Sequence, residues 1–382
     1  MKQEKTMIYA DNAATTRLDM DVLDAMLPFL CEEYGNPSNA YSFARTGKKA
    51  LKEAREKIAS CIGALPEEIF FTSGGTESDN WAIKGAIFAS QSEKKHLITS
   101  RIEHHAVLHS CYFLKEAVGV DVTYLQTDRE GFVSANVLEE AIRDCTVLAS
   151  VMLANNEIGT IEKIQKLAEK AHTHGVLFHT DAVQAVGHIP VNVAELGVDM
   201  LSASAHKFNG PKGIGFLYKR KGVALFSYMS GGAQESGQRA GTENVAYIVG
   251  MAAALEKKVG CLEESMAHNS ALAKNLLRLL HEKGIDFLLN GHSEKRLPGN
   301  VNISIRSADG EILLHRLDLM KIYVSTGSAC NAGSTDISHV IRAIGVPSGY
   351  AAGTIRITLG NDNTLEETAQ IAEAIRWVTG AV

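Results

Sequence analysis

From about residue 50 to 255, short β-branched apolar runs alternate with longer segments whose apolar positions recur at helical spacing. The runs predict strands at 69–72, 97–100, 120–125, 147–153, 176–179, 200–204 and 215–218. The segments between them predict helices at 79–90, 106–118, 137–144 and 164–174. Strands and helices in this rhythm build a mostly parallel, doubly wound α/β sheet. Past about 255 the rhythm breaks. A helical stretch over 245–282, interrupted near Gly260, leads to strands around 301–305 and 355–358, with helices near 311–317 and at the C-terminus. The expected organisation is a large domain over 16–255 and a smaller α+β domain made of 1–15 and 256–382. No repeat or Gly/Ser-rich linker separates the two, so they are expected to pack closely.

Composition narrows the class without naming it. With 45% apolar and 21% charged residues over 382 positions, the chain can bury a sizeable core and is not of disordered type. The net charge is −6 and basic runs such as Lys219-Arg220-Lys221 are short, so no broad positive face is expected for nucleic acid or an anionic membrane. The longest apolar stretch, around Thr146 to Ala154, is too short to span a bilayer. The opening segment MKQEKTMIYADNAATT has no apolar h-region, so no signal peptide is expected. The six cysteines, at 31, 61, 111, 145, 261 and 330, include no C-x-x-C pair. That pattern favours a reducing, cytoplasmic setting over a disulfide framework.

The chemistry lies where predicted strands end, which is where open α/β sheets bind ligands. After Phe70-Phe71 come Thr72-Ser73-Gly74-Gly75-Thr76-Glu77, opening a helix. The glycines allow close backbone approach and the free N–H groups favour an anion, although an ordinary strand-to-helix turn uses the same residues. No G-x-G-x-x-G or Walker lysine follows. The run at 97–100 leads into Glu103-His104-His105. Cys111 is the only sulfur nearby and no H-E-x-x-H spacing exists, so His104 fits a ring-stacking or acid–base role better than a metal, and no metal site is expected. Asn156 follows the run at 147–153; Asp181 and then Gln184 follow the run at 176–179. Ser204-Ala205-His206-Lys207 follows the run at 200–204, and a lysine just past an apolar strand calls for a purpose. An anion cradle, a flat-ring stacker, an acid at a strand end and this lysine together fit pyridoxal 5′-phosphate (PLP). Phosphate would sit on the helix start, Lys207 would hold the cofactor covalently, and Asp181 would keep the pyridine nitrogen protonated.

Ordered motifs run from residue 8 to about 360. They are Ala10-Asp11-Asn12-Ala13-Ala14-Thr15-Thr16, Phe71-Thr72-Ser73-Gly74-Gly75-Thr76-Glu77-Ser78, Glu103-His104, Asn155-Asn156-Glu157-Ile158-Gly159 and His179-Thr180-Asp181-Ala182-Val183-Gln184. Further on come Ser204-Ala205-His206-Lys207, Gly210-Pro211-Lys212-Gly213, Arg239-Ala240-Gly241-Thr242-Glu243-Asn244 and Gly327-Ser328-Ala329-Cys330. With them the chain resembles the cysteine desulfurases of the NifS/IscS type, PLP enzymes of the class V aminotransferase fold (fold type I). The resemblance implies that Asn156 and Gln184 bond the phenolic oxygen of the cofactor, and that Gly75, Thr76, Ser204 and His206 hold its phosphate. It implies that Thr242 reaches the phosphate of a second subunit, hence a homodimer. Arg356 would take the substrate carboxylate, with Asn12 close by. Serine is common in the family where this chain has Ala240; the neighbouring Thr242 remains.

Aminotransferases, epimerases and lyases share the scaffold. Cys330 points to sulfur chemistry among them, since Val324 to Ser334 is a run of small residues suited to a moving loop. The other five cysteines lie in or beside apolar periodic segments, where burial makes a thiol inert. The resemblance implies conversion of L-cysteine to L-alanine. Lys207 would move the Cα proton, His104 would help deprotonate the substrate thiol, and Cys330 would take the sulfur as a persulfide. An iron–sulfur scaffold, a tRNA-thiolation protein or another biosynthetic acceptor would then receive it. An aminotransferase or selenocysteine lyase on the same fold, or an inactive sulfur relay, remains open on sequence alone.

Overall fold

The computed structural model describes residues 7–326 and 337–380. Its strands, in chain order, are β1 (Ile8–Tyr9), β2 (Ile69–Thr72), β3 (His96–Ser100), β4 (Asp121–Leu125), β5 (Thr146–Ser150), β6 (Leu177–Asp181), β7 (Met200–Ser204), β8 (Gly215–Lys219), β9 (Phe287–Leu289), β10 (Asn300–Ile305), β11 (Ile322–Tyr323) and β12 (Thr354–Thr358). Seven of them form one sheet in the order β2-β8-β7-β6-β5-β3-β4. Only β8 runs against its neighbours β2 and β7; the rest pair in parallel. The mostly parallel, doubly wound α/β reading holds.

The strands are apolar in both phases because both faces are covered. Phe70, Leu97, Leu148, Met200 and Leu217 join Trp81, Ile83, Ile87 and Val107 in one core layer. That layer lies under helices Gly75–Ala89 and His105–Phe113. Phe71, Ile98, Ala149, Phe178, Leu201 and Phe216 face the other layer, with Ile58, Leu167 and Ile248 from helices Arg45–Ile62, Ile164–Thr173 and Val245–Gly260. A separate core joins β10 and β12 to Leu272, Leu276, Leu313 and Ile371, and it receives Ile8 and Ala10 from the N-terminal segment. The long helical stretch breaks at Cys261, so Val245–Gly260 packs into the sheet core and Leu262–Glu282 into the other.

Two boundaries differ from the sequence reading for physical reasons. β5 stops at Ser150, not 153, because its neighbour β3 ends at Ser100. Val151 and Leu153 still donate to His179 O and Asp181 O of β6. The helix expected from 79 begins at Gly75, since Gly-Thr-Glu-Ser is poor helix-forming sequence and hides its own start. Helices Met20–Cys31 and Arg45–Ile62 and the short strands β1, β9 and β11 are additional to the sequence reading. No helix among the described residues is long and apolar enough to cross a membrane.

Candidate active site

At the carboxyl ends of β5, β6 and β7 lies a cavity of about 580 Å3. Gly75, Thr76, His104, Asn156, Asp181, Gln184, Ser204, His206, Lys207 and Arg356 all line it. Residues hundreds of positions apart thus converge where the topology predicts a ligand.

The anion end is built by two elements. Helix Gly75–Ala89 starts directly after β2 and presents unbonded N–H groups and the positive end of its dipole. A side chain at Gly75 would drive a Cβ to 2.5 Å from Val183 Cγ2, and at Gly74 one would stand 3.5 Å from Ser204 Oγ. The Gly75 clash favours glycine there, while at Gly74 the contact is ordinary and it is the φ of 149° that favours glycine. His206 follows Ser204 in a short 3-10 turn, its Nδ1 3.1 Å from Thr15 Oγ1. Burial, then the charges of Lys207 and Lys212, push its pKa down to about 4, so the ring is neutral. Glu77 would oppose an anion here, but Arg239 holds it by two parallel bonds of 2.8 and 3.0 Å. Burial raises Glu77; the bonds from Arg239 and Ser73 outweigh it and hold the carboxyl below its ordinary range.

Lys207 leaves the same turn and points inward. Its Nζ donates to Ala13 O (2.6 Å) and Ala14 O (2.7 Å), and Gln184 Nε2 also donates to Ala13 O (3.0 Å). These backbone acceptors in the segment Ala13–Ala14 carry no side-chain signal and were not legible as site residues. Asp181 closes β6, with Oδ1 accepting from Val183 N at 2.9 Å. Burial raises its pKa to about 6, against that bond and the pull of Lys207. His104 caps helix His105–Phe113, its Nδ1 accepting from Ala106 N at 3.1 Å. Burial, then Lys207, brings its pKa down to about 4. A neutral ring whose Nδ1 accepts a backbone N–H carries its proton on Nε2.

Arg356 enters from β12. Nη1 donates to Asn156 O (2.9 Å) and Nη2 to Asp11 Oδ1 (2.8 Å), while Nε is buried without a hydrogen-bond partner among the described residues. Asn12 lies apart: it lines an adjoining cavity, where its Nδ2 donates to Thr358 O at 2.8 Å. Thr242 is exposed and does not line the cavity of its own chain. Cys330 lies outside the described residues. The residues flanking its segment are anchored beside the cavity, however. Ser325 and Arg356 exchange backbone bonds, Ser338 Oγ donates to Glu157 Oε2 at 2.6 Å, and His339 Nε2 meets Glu103 O at 3.0 Å. Among the other cysteines, Cys111 is buried and its thiol pKa is raised, and burial pushes Cys61 up to about 11. Cys31 is exposed at the end of its helix, so burial does not explain its exclusion from sulfur chemistry as the sequence reading supposed.

The lining of the cavity fits PLP, with an anion cradle opened by two glycines, a buried carboxylate and an inward lysine. The family model for class-V aminotransferases matches residues 8–371. Curated relatives include the cysteine desulfurase IscS of Dictyoglomus turgidum, 52% identical over 96% of this chain and 92% of its own length. The cysteine desulfurase IscS of Methanosarcina thermophila is 50% identical over 97% and 92%. Among solved structures, a NifS-like protein superposes with a TM-score of 0.92 at 38% identity, covering 99% of this chain and all of that one. SspA in complex with cysteine superposes with a TM-score of 0.82, also at 38% identity, covering 94% and 100%. The chain belongs to the class-V aminotransferase family and, within it, to the cysteine desulfurases of the IscS type.

Proposed function

We infer that this chain is a PLP-dependent cysteine desulfurase that converts L-cysteine to L-alanine and collects the sulfur on Cys330. The observation that carries the reading is the convergence of Lys207, Asp181, His104 and the Gly75 cradle on one cavity, with the segment bearing Cys330 anchored beside it at Ser325 and Ser338. Gly75, Thr76, Ser204 and His206 would hold the phosphate, Asp181 the ring nitrogen, Asn156 and Gln184 the phenolic oxygen, and Lys207 the attachment point. When bound, PLP supplies an electron sink that stabilises negative charge at the substrate Cα.

The chain's own residues do the rest. Arg356 offers a guanidinium to the substrate carboxylate and so fixes which Cα bond faces Lys207. Lys207 Nζ removes the Cα proton once the Ala13 and Ala14 carbonyls release it. The Cys330 thiolate attacks the substrate sulfur; the S–S bond forms as the Cβ–S bond breaks, and the bonding pair leaves with carbon. Sulfur is oxidised, carbon reduced, and no outside oxidant is needed: cysteine plus a protein thiol gives alanine plus a protein persulfide. His104 would handle the proton of the substrate thiol, the role that the resemblance implies; its neutral ring lines the cavity.

Two further assignments belong to the same proposal. Arg239, pinned to Glu77, carries the exposed Thr242 outward, which suits a homodimer in which Thr242 completes the partner's phosphate site. An acceptor protein such as an iron–sulfur scaffold, in the cytoplasm, would take the persulfide sulfur. The deciding experiment incubates the purified protein with cysteine and a thiol reductant. Alanine and sulfide rising together support the reading; a keto acid without sulfide refutes it in favour of an aminotransferase.

A further inference from the structure

We propose that Asp79 is a positioning residue for the cofactor ring, an uncharged carboxylic acid behind Asp181 that leaves Asp181 as the single negative charge facing the ring nitrogen. This rests on the PLP reading above and concerns a residue that the reading does not use.

Asp79 sits one turn into helix Gly75–Ala89, is 1% exposed, and lines the same cavity as Asp181. A carboxylate on the buried face of a helix is costly unless a cation pairs with it. Among the described residues no lysine or arginine forms an ion pair with Asp79; the nearest ring nitrogen is His179 Nε2, 3.7 Å from Oδ1. His179 is no cation, because burial brings its pKa down to about 3. Its nitrogens are taken up by Ser202 Oγ at 3.0 Å and Ser150 Oγ at 2.9 Å. The Ser202 side chain favours the charged form of Asp79, a smaller effect than burial and Asp181, while Asp79 Oδ1 has no hydrogen-bond partner among the described residues.

Register ties this cluster to the site. Asp181 of β6 pairs with Ser202 of β7, and His179 and Asp181, two apart on one strand, project to the same face. Two buried carboxyl groups lining one cavity hold one charge far more easily than two. Asp181 has the Val183 N–H and the nearby Lys207 to favour its charge. Asp79 has neither, and burial followed by the field of Asp181 pushes it well above the ordinary carboxyl range. The proton therefore belongs on Asp79. A protonated Asp79 donates to Ser202 Oγ, Ser202 to His179 Nε2, and His179 Nδ1–H to Ser150 Oγ, so the hydrogen bonds run in one direction from the cavity into the sheet.

The test compares Asp79→Asn, which is neutral and still a donor, with Asp79→Ala, which is neither acid nor donor. Apoprotein reconstituted with PLP is read by the pH midpoint of its visible absorption band and by the PLP dissociation constant. Asp79→Asn is expected to keep both within about threefold of the wild type, and Asp79→Ala to loosen PLP about tenfold and move the midpoint by about one unit. Ser202→Ala, which cuts the same chain from the sheet side, must shift the midpoint in the same direction; it carries the test if Asp79→Ala does not fold. An Asp79→Ala protein with wild-type midpoint and affinity overturns the proposal, as does an Asp79→Asn protein shifted as far as Asp79→Ala. A wild-type protein that gains no visible band with PLP overturns the cofactor reading itself.

Discussion

Arg356 and Asp11 meet across 345 positions of sequence, Nη2 standing 2.8 Å from Oδ1 in a setting that leaves the arginine side chain 4% exposed. The pair joins β12 to the N-terminal segment at the cavity wall. It fixes the guanidinium at the cavity wall, where the proposed function has Arg356 take the substrate carboxylate. Arg356→Lys keeps the charge but loses the planar fork. It is expected to raise KM for cysteine about ten- to a hundredfold, with a smaller loss in kcat, measured by steady-state alanine release. An unchanged KM would remove Arg356 from substrate binding.

Cys330→Ser should stay yellow with PLP and bind cysteine, yet release almost no sulfide. Wild-type protein briefly exposed to cysteine should gain one sulfur on the peptide containing Cys330, seen by mass spectrometry. Near-normal sulfide release from the serine variant would hand the sulfur chemistry to another thiol, and the exposed Cys31 would be the first to examine.

His104 is expected to remain neutral down to about pH 4 in the apoprotein, with its proton on Nε2, as read by nitrogen NMR of labelled histidine. An unfolded histidine gains its proton near pH 6.5. The unfolded state therefore binds this proton first, and the stability contribution is lost as pH falls from about 6.5 towards 4. Resonances showing a protonated Nδ1 at neutral pH would contradict the capping geometry.

Glu103 supplies the opposite slope. It is fully buried, accepting from Ser100 Oγ at 2.5 Å and Met152 N at 3.0 Å. Burial raises its pKa to about 8, against those two bonds. The folded state thus holds a proton that the unfolded chain releases near its ordinary 4.5, and stability is lost as pH rises from about 4.5 to 8. Glu103→Gln, which cannot ionise, should match the wild type at pH 5 and exceed it at pH 8.5. The gain approaches about 1.4 kcal/mol for each unit of pH over which the wild type pays the difference. Equal melting temperatures at both pH values would show Glu103 to be unperturbed.

Much of this was legible because β-strands buried on both faces announce themselves as unbroken apolar runs. β2 and β7 fell where the sequence placed them, and the break near Gly260 appeared one residue on, at Cys261. The side chains of the cavity were legible too, since Lys207, Asp181 and His104 are conspicuous at apolar strand ends. What was hidden is what sequence does not encode locally. The Ala13 and Ala14 carbonyls act through backbone atoms. The start of helix Gly75–Ala89 is masked by poor helix formers chosen for the cradle. Asp79 reads as an ordinary polar helix residue until the helix is seen lying face-down on β6 and β7.

The N-terminal segment has a bearing on biosynthesis. Ile8 and Tyr9 pair with Ile322 and Tyr323, Asp11 with Arg356, and the Ala13 and Ala14 carbonyls with Lys207. On the ribosome, the seven strands of the main sheet emerge within residues 69–219 and can assemble from nearby chain. Asp11, by contrast, waits for a partner 345 residues behind it. The pocket wall is therefore finished only when β12 has left the exit tunnel. A nascent chain can thus carry Lys207 on a formed sheet while still lacking Arg356, and if Arg356 takes the substrate carboxylate as proposed, such a chain is expected to stay inert towards free cysteine until synthesis is nearly complete.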